Sequence, residues 1–218
     1  MLAAGPLAAQ RETSALRPAD GALLAVGVAL YFTPRLLDIN QGPPSCAPCD
    51  RATVPWFDRW VIAEPRDTWA AGSTLLVVGI GVLAGWDFVD DGPARTGDLA
   101  ALTQSAAIAA GVTELAKAIA ARNRPVLYTA GASEAAAALD AQRSWPSGHT
   151  AVAFALATSY ALSASRAGGP EWRRWAAWIA AAGVGSLRVA AARHFPSDVV
   201  SGAAVGVLSA VGIHAIRF

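Results

Sequence analysis

The chain contains 218 residues, of which 54% are hydrophobic and only 15% are charged. Soluble domains carry about 25% charged residues, so the composition predicts a protein embedded in a membrane. The net charge is +1 at pH 7 and no basic tract occurs, which excludes a surface built to bind nucleic acid.

The N-terminal residues 1–20 are rich in alanine, arginine and proline, and no apolar core of a signal peptide follows Met1. We expect this segment to be poorly ordered and residues 21–218 to form one domain. The first predicted membrane span begins at Gly21. It reaches about Ile39 if its arginine extends toward the lipid headgroups.

The segment 40–68 differs in kind, because prolines and charged residues replace the apolar run. Its stretch 54–62 either forms a short amphipathic helix at the level of the headgroups or packs as a loop between spans. Cys46 and Cys49 lie in the same segment and could form a disulfide, remain free thiols or act in redox chemistry. A position outside the cytoplasm would favour the disulfide.

Five further apolar runs have the length of a membrane span. These predicted spans cover residues 69–86, 99–122, 148–165, 175–192 and 197–216. A turn is predicted at Gly92 and Pro93. The connection 126–144 contains an alanine-rich piece that could form a short helix, and it either covers a site or simply joins two spans.

Glycines four residues apart predict where helices pack closely. Such pairs occur at Gly81 and Gly85 and again at Gly202 and Gly206. With six spans and no strand pattern, the predicted fold class is an all-α membrane bundle of six transmembrane helices, with a possible short interfacial helix.

Charged residues gather in clusters near the predicted helix ends. The first cluster contains Lys117, the only lysine in the chain, and Arg124, which lie two helical turns apart on one face. The second reads Pro-Ser-Gly-His over residues 146–149 and predicts a chain break followed by a helix start. The free N–H groups and positive dipole of such a start favour an anion, and His149 lies in the first turn.

The third cluster contains Arg188, His194 and Asp198. The acid follows the histidine by four residues, so its carboxylate could reach the imidazole and select one tautomer. In a six-span bundle the third and fifth spans end, and the fourth and sixth begin, on the same side. We therefore expect the three clusters to meet on one face of the membrane.

These clusters, written as Lys-x6-Arg-Pro, Pro-Ser-Gly-His and Arg-x5-His-x3-Asp, resemble the three-part signature of the type 2 phosphatidic acid phosphatase superfamily. One departure is Leu187, where the family usually has a small residue before the arginine. The resemblance implies an integral-membrane phosphatase that hydrolyses a lipid phosphate or diphosphate monoester. It implies a phosphohistidine intermediate and no metal or other cofactor, since three cations do the work of a metal.

The resemblance also implies a role for each residue. His194 attacks phosphorus, Asp198 orients it, and His149 protonates the leaving oxygen. The predicted phosphate-binding residues are Lys117, Arg124, Ser147, Gly148 and Arg188. Taken singly, each cation could equally be a basic residue snorkelling at a helix end.

Two alternative functions remain at this stage. A vanadate-dependent haloperoxidase resembles this family in its anion pocket, but those enzymes resemble soluble helical proteins. A non-catalytic protein that binds or transports lipid phosphates would not need a nucleophile and an acid. The sequence does not identify the lipid or the oligomeric state.

The arginine-rich connection 166–174 predicts which side faces the cytoplasm. The three clusters lie at the opposite ends of the helices. Apart from the predicted site residues, the two faces carry equal numbers of basic residues, so this connection and the family resemblance together imply an extracytoplasmic active site in a protein of the bacterial inner membrane. Glu114 is expected to pair with Lys117, and His214 to lie at the opposite lipid–water boundary. Neighbours of the motifs could touch a headgroup, namely Arg122, Arg143, Trp145 and Arg193.

Overall fold

The computed structural model describes residues 16–39, 42–91 and 95–218. Within these ranges the chain is helical and contains no β-strand, so the all-α prediction is confirmed there. The long helices are α1 (Ala19–Leu36), α3 (Asp67–Asp90), α4 (Thr96–Ala120), α6 (Gly148–Arg166), α7 (Glu171–Ala190) and α8 (Pro196–Arg217). The connections contain two single-turn helices, α2 (Trp56–Arg59) and α5 (Ala132–Ala135).

Some sequence predictions concern residues outside these ranges. The poorly ordered N-terminal segment is one of them as far as residue 15, and the turn at Gly92 and Pro93 is another. In the connection 126–144, the alanine-rich piece (133–142) is helical only where it overlaps α5 (Ala132–Ala135), and turns follow.

Three segments are long and apolar enough to cross a membrane: Asp67–Asp90, Thr96–Tyr128 and Pro196–Arg217. The helices in these segments carry large apolar side chains on the outside of the bundle. Leu75, Leu83 and Leu208 illustrate this, with about 70% of each residue exposed. Such surfaces suit contact with lipid, so the protein has the character of a membrane protein. For α1, α6 and α7 a membrane span remains a prediction.

Helix α6 lies at the centre of the bundle and packs against α3, α4, α7 and α8. Its buried face consists largely of alanines, including Ala151, Ala153 and Ala155, which are fully buried. Small side chains allow neighbouring helix backbones to approach closely. This packing fixes the first turn of α6, and the Pro-Ser-Gly-His stretch with it, against α8.

The closest backbone approach between α6 and α8 occurs at two glycines. A Cβ atom at Gly202 would lie 2.5 Å from the Ser147 carbonyl oxygen, and one at Gly206 would overlap the Ala151 carbonyl oxygen. The predicted close packing is therefore confirmed at this pair. At Gly81 and Gly85 it is wrong, because the nearest atoms are leucine methyl groups at 3.5 and 3.8 Å.

The segment 42–66 folds over the end of the bundle at which α3 begins. Val61 is buried and packs against Phe195, which lies just before α8. The tryptophans at the start of α2 and just after it lie on the other side, where Trp56 and Trp60 are 81% and 70% exposed. One side of this segment is packed against the bundle, as expected of a loop between spans. The other side is apolar and exposed, as expected of an amphipathic helix.

Cys46 and Cys49 form a disulfide in this segment. The loop that they close is fastened to the chain after α4. The Cys49 N–H donates to the Leu127 carbonyl at 2.8 Å, and the Asn123 amide lies 3.2 Å from the Cys49 sulfur. The covalent link thus lies next to the first of the charged clusters.

Substitution of the close-packed glycine tests the contact between α6 and α8. Gly206→Ala should destabilise the folded protein by about 1–3 kcal/mol, since the added methyl group meets backbone atoms that cannot move aside. Gly79→Ala is the matched control, because no atom lies within 4 Å of its added methyl group. Thermal unfolding in detergent measures both, and equal midpoints would contradict the packing described.

Candidate active site

The three charged clusters meet at one end of the bundle. The Ser147 N–H donates to the Asp198 backbone carbonyl at 2.9 Å, which joins the second cluster to the third. Lys117 reaches the same place, since a Cβ atom at Gly148 would lie 3.0 Å from its Nζ. Arg124 donates to the Arg193 carbonyl at 2.8 Å and so contacts the turn before His194.

His194 lies in the turn between α7 and α8 and is only 1% exposed. Its Nδ1 is 2.7 Å from the Ser144 carbonyl oxygen. A carbonyl can only accept a hydrogen bond, so Nδ1 carries the proton and Nε2 keeps its lone pair. The local structure therefore selects the tautomer that a nucleophilic imidazole requires.

The pKa of His194 is lowered from 6.5 to about 3, chiefly because burial disfavours the charged imidazole; the positive charges of Arg124 and Arg188 act in the same direction, while Asp198 opposes them. A lowered pKa means that the imidazole is neutral at all pH values well above 3. Nε2 is thus unprotonated across the physiological range.

Asp198 is fully buried in the first turn of α8. Its Oδ2 accepts from the Ser144 hydroxyl at 2.6 Å and from the Phe195 N–H at 2.9 Å, and its Oδ1 accepts from Arg122. The distance from Oδ2 to His194 Nδ1 is 3.6 Å, too long for a hydrogen bond. Asp198 therefore acts on His194 through its charge and through Ser144, which binds both residues.

His149 lies in the first turn of α6, as the Pro-Ser-Gly-His stretch predicts. Its Nε2 shares a 3.0 Å hydrogen bond with the Thr74 hydroxyl of α3. The adjacent Ser73 hydroxyl accepts from Arg188 at 3.3 Å. Helix α3 thus contributes two hydroxyl groups to the site that sequence reasoning missed, since the three motifs contain no part of it.

Lys117 and Glu114 form an ion pair of 2.6 Å, which confirms the predicted pairing. Glu114 also binds Arg143 at 3.1 Å and Arg35 at 3.5 Å. One carboxylate is therefore the partner of three cations, and positive charge is in excess around it. The excess of positive charge extends to the Pro-Ser-Gly-His turn, because Lys117 lies beside Gly148. Such an excess suits an anionic ligand.

The two arginines predicted to bind phosphate differ in their partners. Arg124 is occupied by the protein, since it binds the Asp140 carboxylate at 2.9 Å and the Asp140 carbonyl at 2.8 Å. Arg188 is 6% exposed and has no acidic partner among the described residues, and its Nε has no hydrogen-bond partner there. A buried guanidinium without an anion is costly, so this residue marks the place where an anion would be stabilised.

The four residues considered as headgroup contacts all bind groups of the protein, and contact with a headgroup stays a prediction. Arg122 binds Asp58 and Asp198, and Arg143 binds Glu114. The remaining contacts are the Trp145 indole with the Ser201 hydroxyl at 2.9 Å and Arg193 with Asp67 at 2.5 Å. Asp58 was not anticipated at all, because it lies in the irregular segment 42–66.

His214 lies in the last turn of α8, at the end of the bundle opposite the charged clusters, and is only 6% exposed. Its Nε2 contacts the Ser159 hydroxyl and its Nδ1 contacts Arg166, both at 2.9 Å. These contacts tie α8 to α6 at that end and do not reach the charged clusters.

Comparison with known proteins agrees with the geometry. A lipid A 1-phosphatase of Porphyromonas gingivalis is 46% identical over 69 residues, which cover 31% of this chain and 15% of that protein. No solved structure matches the chain. The family model of the PAP2 superfamily matches residues 98–218, which is more than half of the chain and includes all three charged clusters. The protein therefore belongs to the PAP2 superfamily.

Proposed function

We propose that the protein is an integral-membrane phosphatase that hydrolyses a lipid phosphate or diphosphate monoester through a phosphohistidine at His194. Membership of the PAP2 superfamily and the similarity to a lipid A 1-phosphatase support a lipid phosphatase. The observation that carries the mechanism is a buried Arg188 without an acidic partner on the same end of the bundle as a neutral, tautomer-selected His194.

The first step is capture of the phosphate. Arg188 supplies a buried positive charge, and Lys117 supplies a second one beside the start of α6. The N–H groups at that helix start, including that of Gly148, donate hydrogen bonds, and the Ser147 hydroxyl lies next to them. Arg124 adds positive charge from the neighbouring cluster. These groups stabilise the equatorial oxygens, whose charge grows in the transition state.

The second step is the transfer of the phosphoryl group. Nε2 of His194 forms a bond to phosphorus while the bond to the leaving oxygen breaks. His149 gives a proton to that oxygen, so the lipid leaves as an alcohol, or as a lipid monophosphate where the substrate is a diphosphate. The imidazole gains positive charge in this step. The Asp198 carboxylate, 3.6 Å from Nδ1, stabilises it.

The third step regenerates the enzyme. His149, now neutral, accepts a proton from a water molecule, whose oxygen attacks the phosphohistidine. The P–N bond breaks, inorganic phosphate leaves, and His194 returns to its neutral form. Each residue therefore ends the cycle in the state in which it began.

The first prediction concerns the substrate and the role of Arg188. Purified protein should release phosphate from at least one of lipid A 1-phosphate, phosphatidic acid, phosphatidylglycerol phosphate or an isoprenyl diphosphate. Arg188→Gln should lower kcat/KM on that lipid by about 10²–10³, because the developing charge loses its buried partner.

The matched control is Arg173→Gln, whose guanidinium binds Asp87 at the opposite end of the bundle. It should keep the wild-type rate. Phosphate release from none of the four lipids would contradict the proposed function. Equal loss in both arginine variants would contradict the role of Arg188.

A second prediction separates the two histidines. His194→Ala should abolish turnover and any labelled phosphoenzyme. His149→Ala should lower the rate of hydrolysis of the lipid substrate by about 10²–10⁴. The rate with nitrophenyl phosphate should change little, since a good leaving group needs little protonation.

Rapid-quench labelling with radioactive phosphate measures these rates. His214→Gln is the control, because that histidine lies outside the site. Label trapped on His149 in place of His194 would reverse the assignment.

A third prediction tests the proposed orientation, with the site outside the cytoplasm of a bacterial inner membrane. Leu139 is 87% exposed near the site, and Glu171 lies at the other end of the bundle. A membrane-impermeant maleimide should label Leu139→Cys in intact spheroplasts and Glu171→Cys only after lysis. The native cysteines do not interfere, because they are bonded to each other. The opposite labelling pattern would overturn the orientation.

A further inference from the structure

Asp58 is a fully buried carboxylate that belongs to none of the three motifs. It lies in α2, within the segment that folds over the active-site end. A buried carboxylate is stable only when hydrogen-bond donors or cations surround it. The partners of Asp58 therefore indicate why an acid occupies this position.

Three donors surround Asp58. Its Oδ1 accepts from the Ser197 N–H at 3.0 Å, and its Oδ2 accepts from the Ser197 hydroxyl at 2.5 Å. The third donor is Arg122, whose guanidinium lies 2.8 Å from Oδ2. Asp58 thus holds the first turn of α8, where the next residue is Asp198, the carboxylate predicted to orient His194.

Arg122 lies between two carboxylates. One of its terminal nitrogens contacts Asp58 and the other contacts Asp198, while its Cζ lies 4.4 Å from the centre of the Phe195 ring. The ring and the two acids leave the guanidinium a single orientation. The group of Asp58, Arg122 and Asp198 carries two negative charges and one positive charge, so its net charge is −1.

This net charge lies close to the predicted nucleophile. Asp198 Oδ2 is 3.6 Å from His194 Nδ1, and the imidazole becomes positively charged when Nε2 bonds to phosphorus. Without Asp58, the guanidinium would neutralise Asp198 alone, and the group beside His194 would be neutral. Asp58 therefore allows Arg122 to hold Asp198 in place without cancelling its charge.

We propose that Asp58 is a positioning residue of the phosphatase, which shares Arg122 with Asp198 and thereby keeps a negative charge beside His194. This inference rests on the proposed function. Asp58 touches neither the phosphate-binding residues nor His194, so its effect should fall on the chemical step and not on binding.

The main variant is Asp58→Asn, which keeps the shape and removes the charge. It should lower kcat and the rate of phosphoenzyme formation by about 10- to 100-fold. KM for the lipid and inhibition by inorganic phosphate should change by less than about threefold, since both depend on residues that Asp58 does not contact.

Asp50→Asn is the matched control from the same segment. The Asp50 carboxylate accepts from the Ala52 N–H at 2.8 Å, is exposed and does not reach the site. It should keep the wild-type kcat. A wild-type kcat in Asp58→Asn as well would overturn the inference, and so would a loss confined to KM.

The double variant Asp58→Asn with Arg122→Gln separates a charge effect from a structural one. Arg122→Gln alone removes the guanidinium through which Asp58 acts, so adding Asp58→Asn to it should lower kcat by less than about threefold. Losses that multiply in the double variant would show that Asp58 acts independently of Arg122, contrary to the proposal.

If Asp58→Asn does not fold, Asp58→Glu replaces it. The longer acid disturbs packing but keeps the charge, so kcat should stay within about tenfold of wild type. A larger loss with phosphate inhibition intact would overturn the inference. An inactive wild-type protein on all lipid phosphates would refute the proposed function itself, whereas an active one with an unaffected Asp58→Asn refutes only this inference.

Discussion

The buried carboxylate of Asp198 is the group on which the arrangement of the active-site end depends. Its side chain accepts from Ser144, from Arg122 and from the Phe195 N–H, and its backbone carbonyl accepts from Ser147. A buried charge that loses one hydrogen-bond partner becomes costly, so the loss of one of these contacts weakens the others. These contacts join the chain before α6, the end of α4 and the start of α8 at one point.

The chemistry of His194 follows from two effects that act in the same direction. The Ser144 carbonyl keeps a proton on Nδ1, and burial lowers the pKa so that no second proton binds at physiological pH. A histidine in water would be partly protonated near pH 6.5 and would exchange its tautomers freely. In the protein, the lone pair of Nε2 is permanently available.

Much of this site could be predicted from the sequence, because the three clusters have fixed internal spacings and the helical layout brings their ends together. The role of Asp58 could not be predicted, since Asp58 lies in a segment without periodicity. Its partner Ser197 is 139 residues further along the chain. The hydrogen bond from His194 to the Ser144 backbone carbonyl could not be predicted either, because every residue has a backbone carbonyl and the sequence does not mark this one. The glycine pairs show the same limit. Identical spacing gives backbone contact at Gly202 and Gly206 but only leucine methyl contacts at Gly81 and Gly85.

The distance along the chain between the contacting residues also sets an order of assembly. Ribosomes deliver α3, α4 and α6 well before α8, and domains form as their segments emerge. Before α8 is delivered, Arg122 lacks its contact with Asp198, Asp58 lacks its two hydrogen bonds from Ser197, and α6 lacks the close contact at Gly206. A chain that ends before α8 thus contains Lys117, Arg124 and Arg188 but lacks Asp198. The proposed activity therefore requires that the segment beginning at Pro196 has been made and has packed against α6.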